Sequence, residues 1–102
     1  MKYELTTNTK IHLGIKLFQI KAVASFGNVG KGELGGWIES EKNLSQSNNA
    51  WVSGNARVSG NARVSGNAVV YGNAGVSGNA WVSGNAWVSG NASVSGNARV
   101  SG

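Results

Sequence analysis

Residues 49–66 read NAWVSGNARVSGNARVSG, and this six-residue unit continues without a slip from Asn49 to Gly102. The residue between alanine and valine varies most, and the serine changes only once, to Tyr71. In an extended strand, alanine and valine point to one side and the variable residue to the other. Glycine and asparagine best tolerate a positive φ, so Ser-Gly-Asn supplies a bend. Each unit is therefore predicted to be a short strand with an apolar inner face, followed by a corner.

One such strand cannot bury its valine alone, whereas stacked strands can, and a fixed short period is typical of solenoids. A helix is disfavoured because every unit contains a glycine and an asparagine. A disordered Gly/Ser/Asn linker has no reason to keep valine in register nine times. The repeat therefore predicts an all-β fold, a parallel β-helix with about 18 residues per triangular coil, and about three coils from its residues.

Every third unit stacks on the same side of such a triangle, so the outward residues sort into three faces. The first face carries Trp51, Val69 and Trp87, the second Arg57, Gly75 and Ser93, and the third Arg63, Trp81 and Arg99. The first face is an apolar stripe, which predicts a contact surface. On the third face, Trp81 lies between two arginines, either as a cation–π stack or simply as neighbouring surface residues. The outward residues of the first and third faces are together predicted to form an interface. The corner asparagines are expected to form ladders from coil to coil.

The chain before the repeat has a different composition. Residues 1–48 are predicted to form an N-terminal β-hairpin and capping segment, and residues 49–102 the β-solenoid. Strands are expected at residues 3–7 and 17–23, with a turn at His-Leu-Gly between them. An uncovered solenoid end is a sheet edge, so a cap is expected to seal the first coil. The residues assigned to this cap are Gly35, Gly36, Trp37 and Leu44.

The unit Val-Ser-Gly-Asn-Ala-x resembles the hexapeptide repeat of left-handed parallel β-helix proteins, which places an aliphatic residue first and a small residue fifth. The stretch FGNVGKGELGGWIESEKNLSQSNNAWVSGNARV, residues 26–58, is similar to the leader of a group of phage- and prophage-borne hexapeptide-repeat proteins, and the match spans most of residues 3–58. The resemblance implies a left-handed coil, a phage or prophage origin and a distant link to the acyltransferase-like hexapeptide-repeat superfamily. Members of the phage group usually carry a further non-repetitive domain after the coils.

The sequence contains few residues of the types that catalyse reactions or bind metals. Cysteine is absent, and the one histidine, His12, lies in the predicted hairpin without an evident partner. The four glutamates show no metal-ligand spacing. The glycine-rich stretch GNVGKGELGG lacks the spacing of a phosphate-binding loop. We therefore predict no enzyme, with no catalytic residue, no cofactor and no metal site.

The net charge of +5 reflects scarce acids more than abundant bases. The repeat contains three arginines and no acid, which is too few cations for a nucleic-acid partner to be favoured. No apolar run approaches the roughly 18 residues of a membrane span, so no membrane partner is expected. The N-terminus lacks the pattern of a signal peptide. We expect a cytoplasmic protein, located in the host cytoplasm or the virion if it is phage-encoded.

The partner predicted from these features is a second copy of the chain. The repeat ends in mid-unit, so the last coil is expected to offer unpaired backbone groups to another chain. The function predicted is a self-assembling structural scaffold, a homo-oligomer or filament formed through this open C-terminal coil or through the Trp/Val face. Three alternatives stay open: a degenerate acyltransferase-like protein, a small-ligand-binding β-helix with a pocket between subunits, and a phage counter-defence binding protein.

Overall fold

A computed structural model of the chain describes residues 2–101, so Met1 and Gly102, the outer ends of the two predicted regions, lie outside it. The first three strands are β1 Tyr3–His12, β2 Ile15–Ala22 and β3 Leu34–Ile38, followed by one 3₁₀ turn, Glu41–Asn43. The other strands each span two residues of one repeat unit: β4 Trp51–Val52, β5 Arg57–Val58, β6 Arg63–Val64, β7 Val69–Val70, β8 Gly75–Val76, β9 Trp81–Val82, β10 Trp87–Val88, β11 Ser93–Val94 and β12 Arg99–Val100.

These short strands stack in parallel at an offset of one coil. Trp51 pairs with Val69 and Val69 with Trp87, so β4, β7 and β10 form the first face. The second face contains β5, β8 and β11, and the third contains β6, β9 and β12. The predicted all-β solenoid, with 18 residues between stacked positions, and the predicted sorting into three faces are both confirmed.

Backbone hydrogen bonds join each coil to the next. On the first face the Trp51 N–H donates to the Ala68 carbonyl (N···O 3.1 Å), and the Ser53 N–H donates to the Val70 carbonyl (2.8 Å). The same pattern recurs along the repeat, for example from Ser59 to the Val76 carbonyl at 2.9 Å. The ladder thus satisfies backbone groups that would otherwise be left without partners against the apolar core.

Each corner is a tight turn that only glycine fits. Gly54 has a φ of +63°, the left-handed region that side chains disfavour. The Ala56 N–H donates to the Ser53 carbonyl across this turn at 3.2 Å. The corners also stack: a Cβ atom on Gly66 would lie 3.0 Å from the backbone of Gly84 in the next coil. The glycine of the repeat is therefore needed both for its conformation and for the close approach of coils.

The asparagine beside each corner glycine forms the predicted ladders. The Asn55 Nδ2 donates to the Asn73 Oδ1 at 3.4 Å, and the Asn73 Nδ2 donates to the Asn91 Oδ1 at 3.3 Å. The first rung at Asn49 differs, because there the backbone N–H donates to the Asn67 Oδ1. These bonds are exposed, so each contributes little alone, but they repeat along every corner.

The N-terminal hairpin forms as predicted, with strands longer than expected. Its turn places Leu13 at φ 52° and Gly14 at φ 80°, consistent with a two-residue hairpin turn. Strand β2 pairs with β3, and β3 continues in parallel with β5, so hairpin and second face share one six-stranded sheet. Ile38 aligns with Val58 in this pairing. The solenoid therefore begins at β3, before the first repeat unit, as a leading coil of non-repeating sequence.

The leading coil lies so close to the first repeat coil that two of its residues must lack side chains. A Cβ atom on Gly35 would lie 2.6 Å from both Trp51 Cζ2 and the Val52 carbonyl oxygen. A Cβ atom on Gly36 would lie 2.7 Å from Val52 Cγ1 and 2.8 Å from the Ala56 carbonyl oxygen. Contacts this short require the backbone to move.

We expect Gly36→Ala to lower the free energy of unfolding by about 1–3 kcal/mol, the usual cost of overpacking. The matched control is Gly75→Ala, because a Cβ atom there would meet only the Arg57 Nη2 at an ordinary 3.5 Å. That control should stay within about 0.5 kcal/mol of the wild type. Urea unfolding followed by tryptophan fluorescence measures both, and equal effects of the two substitutions would contradict the close-packing argument.

Candidate functional site

Each face of the solenoid has a recess where residues of the N-terminal segment lie beside the coils. The first-face groove is lined by Val29, Glu33, Val69, Tyr71 and Trp87, among others, and measures about 380 Å³. The third-face groove, about 490 Å³, includes Glu41, Lys42, Leu44, Arg63 and Trp81. The second-face cleft, about 300 Å³, includes His12, Leu13, Arg57, Gly75 and Ser77. The recesses differ in the chemistry of the residues that line them.

The first-face groove is dominated by exposed aromatic surface. Trp87 is 65% exposed. Its ring packs edge-to-face against Tyr71, with centroids 5.9 Å apart and planes at 86°. Val69 lies one coil below Trp87 and is half-buried. Tyr71 replaces the serine of the repeat, and this departure from the repeat is the feature of the sequence that marks the groove.

Trp51 does not belong to the exposed stripe, and that expectation is wrong. The residue points outward from its coil as predicted but is only 3% exposed. Phe26 packs edge-on against it at 5.3 Å between ring centroids, and Tyr3 lies at 6.5 Å. The N-terminal segment therefore covers the lower part of the first face and leaves only the upper part, around Trp87, open.

The third face has the cation–π arrangement that was one of the two readings of its sequence. The guanidinium carbons of Arg63 and Arg99 lie 6.0 Å and 5.1 Å from the centroid of the Trp81 ring. All three side chains are exposed, with Trp81 at 42%. Such contacts contribute about 0.5–1 kcal/mol each at exposed sites. The third face consequently presents two positive charges along its outward row.

The second-face cleft contains a histidine for which the sequence offered no partner. His12 comes from the hairpin, and Arg57 comes from the first repeat coil. Both line the cleft, together with the hydroxyl-bearing Ser59, Ser77 and Ser93. The periodic pattern could not predict this meeting, because it depends on how the hairpin lies against the coils.

The residues assigned to the cap lie in the leading coil. Gly35, Gly36 and Leu44 are buried, and Leu44 forms a parallel bridge with Val64. Trp37 is half-buried, with the Lys10 Nζ 4.5 Å from its ring centroid. The three of these residues that belong to β3 lie beside the hairpin, because β3 pairs with β2.

Asn43 fixes this leading coil, although the sequence analysis did not single it out. Its side chain is fully buried, and its Oδ1 accepts hydrogen bonds from the N–H groups of Glu39 (3.1 Å) and Ser40 (2.9 Å). Its Nδ2 donates to the carbonyls of Gly60 (3.2 Å) and Ala62 (2.8 Å). A buried amide with both its oxygen and its nitrogen satisfied in this way specifies one arrangement of the two coils.

Lys2 is a second anchor that the sequence analysis missed. Its Nζ donates to the Ala50 carbonyl at 2.6 Å and to the Ser47 and Asn48 carbonyls at 3.4 Å. The side chain is 6% exposed, and its ammonium lies 4.8 Å from the Phe26 ring centroid. Burial lowers the pKa of Lys2 to about 8. The start of the chain is therefore tied to the turn that leads into the first repeat coil.

Within residues 2–101, no group of three or more His, Cys, Asp or Glu side chains lies close enough to hold a metal ion. Over the same range, no helix has the length and apolar character needed to cross a membrane.

The stacked coils and their buried valine and alanine rows define the chain as a β-solenoid repeat protein. The repeat also matches the family model described as the YdcK beta solenoid repeat, in five overlapping segments at residues 50–62, 56–72, 62–78, 70–84 and 74–90. The match spans residues 50–90, which include Arg57, Trp81 and Trp87, one residue from each recess. A comparison with curated proteins finds no match.

The lowered pKa of Lys2 predicts a pH-dependent stability. Between about pH 8 and the ordinary lysine value near pH 10.4, the unfolded chain binds a proton that the folded chain has released. Stability from this group therefore rises with pH across that window. We expect the unfolding free energy of the wild type, minus that of Lys2→Met, to increase by about 1–2 kcal/mol between pH 8 and 10.

Urea titrations at several pH values measure this difference. Subtracting the Lys2→Met variant removes the contributions of Tyr3 and Lys10. Burial and then the charge of Glu41 raise the pKa of Tyr3, while burial and then the charge of Arg57 lower the pKa of Lys10. A difference that stays flat from pH 7 to pH 10 would mean that Lys2 titrates as in the unfolded chain.

Proposed function

We propose that this β-solenoid repeat protein is a non-enzymatic scaffold that self-associates through its first-face groove. The observation that carries the proposal is the 65% exposure of Trp87 on a face with no charged residue in its outward row. Large exposed aromatic surfaces on small proteins are typical of contact sites. Tryptophan and tyrosine are also the residue types that contribute most at protein interfaces.

The rigidity of the site supports a binding role. Trp87 is in strand β10, which is held to β7 by the coil ladder, and its ring rests against Tyr71. An aromatic pair held in place before binding loses little conformational freedom when a partner covers it. The groove therefore provides a preformed anchor.

The charge distribution favours the first face over the third as the surface that meets a second copy of the chain. The protein carries a net charge of +5, and the third face presents Arg63 and Arg99. Two copies meeting through that face would bring like charges together, which is unfavourable. The first-face groove is lined by one charged residue, Glu33, and otherwise by neutral groups. A two-fold contact, with Trp87 of each chain in the groove of the other, forms a closed dimer.

The leader segment supports the biological setting of this proposal. Its resemblance to phage- and prophage-borne hexapeptide-repeat proteins, carried by residues 26–58, suggests a structural role in the host cytoplasm or in the virion. The coils themselves support a non-enzymatic role, because their outward positions carry no acid and no histidine.

We expect Trp87→Lys to shift the protein from dimer toward monomer, with β-structure intact. The substitution removes the aromatic anchor and places two ammonium groups close together across the contact. Light scattering coupled to size-exclusion chromatography across a concentration series measures the mass, and far-UV circular dichroism checks the fold.

The matched control is Trp81→Lys, because Trp81 occupies the same position of its repeat unit on the third face and is also exposed. This control should keep the mass of the wild type. An equal loss of mass in both variants, or no loss in either, would contradict a contact specific to the first face. Long fibres in electron microscopy would instead favour axial stacking of coils.

A second expectation concerns acyl transfer, the alternative that the distant family resemblance raises. We expect no release of coenzyme A from acetyl-coenzyme A above the uncatalysed rate in the presence of amine acceptors. The reason is that the coils offer no proton-shuttling side chain on their outward positions. A colorimetric thiol assay measures this, with His12→Ala as the paired sample. Activity that disappears in His12→Ala would overturn the non-enzymatic proposal.

A further inference from the structure

We propose that the second-face cleft is a binding site for a small organic anion, a carboxylate or phosphate joined to a short apolar group. The cleft lies between the hairpin and the coils, away from the first-face groove. Its polar lining includes Arg57, His12 and three serines, and its apolar lining includes Leu13 and Leu17. The proposal is independent of self-association, since Trp87 and Tyr71 do not line this cleft.

The outward row of the second face leaves room for a ligand. Beyond Arg57, this row continues with Gly75 and Ser93, whose side chains are the smallest on any face. The Arg57 guanidinium lies above the glycine, since its Nη2 would be 3.5 Å from a Cβ atom placed on Gly75. The floor of the cleft is therefore largely backbone and short side chains, with the guanidinium at its edge.

The cleft is positively charged without a compensating acid. None of the residues of the described chain that line it is an aspartate or a glutamate. The Arg57 Nη1 donates to the Asn55 carbonyl at a long 3.4 Å, which occupies only one of its five N–H donors. Lys10 lies near this group, because its ammonium is over the ring of Trp37, which pairs with Arg57. Burial and then the Arg57 charge lower the pKa of Lys10. A bound anion would supply the missing negative charge.

Further hydrogen-bond donors line the cleft together with the guanidinium. The hydroxyl groups of Ser59, Ser77 and Ser93 line the cleft, as does the imidazole of His12. A serine hydroxyl can donate one hydrogen bond, and an imidazole always carries at least one ring N–H. These groups can bind the oxygens of a carboxylate or phosphate that the guanidinium does not reach.

The remaining wall is apolar and partly exposed. Leu13, Ile15 and Leu17 contribute it, and Leu13 is 88% exposed at the hairpin turn. A ligand with a short hydrocarbon group would cover part of this surface. The volume of about 300 Å³ is at the lower end of the range for small-molecule sites. The cleft therefore suits a compact ligand better than a nucleotide.

The test is a two-dimensional ¹⁵N–¹H NMR titration of the full chain with sodium butyrate, at constant ionic strength. We expect saturable shifts confined to the amides of Gly75, Ser77 and the hairpin turn. Arg57→Gln should weaken binding by about tenfold or more, the loss of one charge-assisted contact. The control Arg63→Gln, which removes the equivalent charge on the third face, should leave the affinity unchanged.

Two further probes separate the parts of the proposed ligand. Butanol, which has a similar hydrocarbon group without the charge, should produce no saturable shift. Inorganic phosphate should bind more weakly than butyrate; equal or tighter binding would remove the role assigned to the apolar wall. Absence of saturable butyrate shifts, or equal affinity in Arg57→Gln with its spectrum still dispersed, would overturn the proposal. Trp87→Lys should bind butyrate like the wild type even if self-association proves wrong.

Discussion

Backbone hydrogen bonds between coils determine the other features of this molecule. Each side of a coil donates to the side above it, as Ser53 does to the Val70 carbonyl. Within the repeat, residues that stack on one another are 18 positions apart, as Trp51 and Val69 are. This offset decides which outward residues share a face, and so where charge and aromatic surface accumulate. The ladder forms only because corner glycines stack: Gly66 approaches Gly84 so closely that a side chain would not fit.

The three faces share one backbone but present different chemistry. The first face presents Trp87 beside Tyr71, and the third presents two arginines around a tryptophan. The second face has short side chains beside the positively charged Arg57. The N-terminal segment increases these differences, because it covers part of the first face and forms one wall of the second-face cleft. The outward residues of the repeat and the N-terminal segment together give a uniform backbone three distinct surfaces.

Much of the fold was predictable because it depends on local periodicity. The alternation of alanine, variable residue and valine specified which side chains would be buried, and Gly-Asn specified the corners. The pairing of Trp51, Val69 and Trp87 followed from the period alone. The hairpin turn at Leu13 and Gly14 was readable from its neighbours in the sequence.

The rest depends on contacts between segments far apart in the chain. Nothing near Lys2 indicates that it bonds the Ala50 carbonyl, 48 residues away. Trp51 looks identical in sequence to the exposed Trp87, yet Phe26 covers it. Asn43 and β3 belong to the solenoid without matching the repeat, so the period could not assign them. The second-face cleft required the position of the hairpin, which no spacing encodes.

The corner geometry also determines how such a chain can change in length. The backbone hydrogen bonds between coils involve no outward side chain. One six-residue unit can therefore follow another whatever residue occupies the outward position. Inserting a single unit would move every later outward residue to the next face and exchange the aromatic column for a charged one. Inserting three units would instead raise each later residue by one coil, about 4.8 Å, on its original face. Lengthening in steps of three units therefore keeps every outward residue on its original face, whereas any other step moves the later residues to different faces.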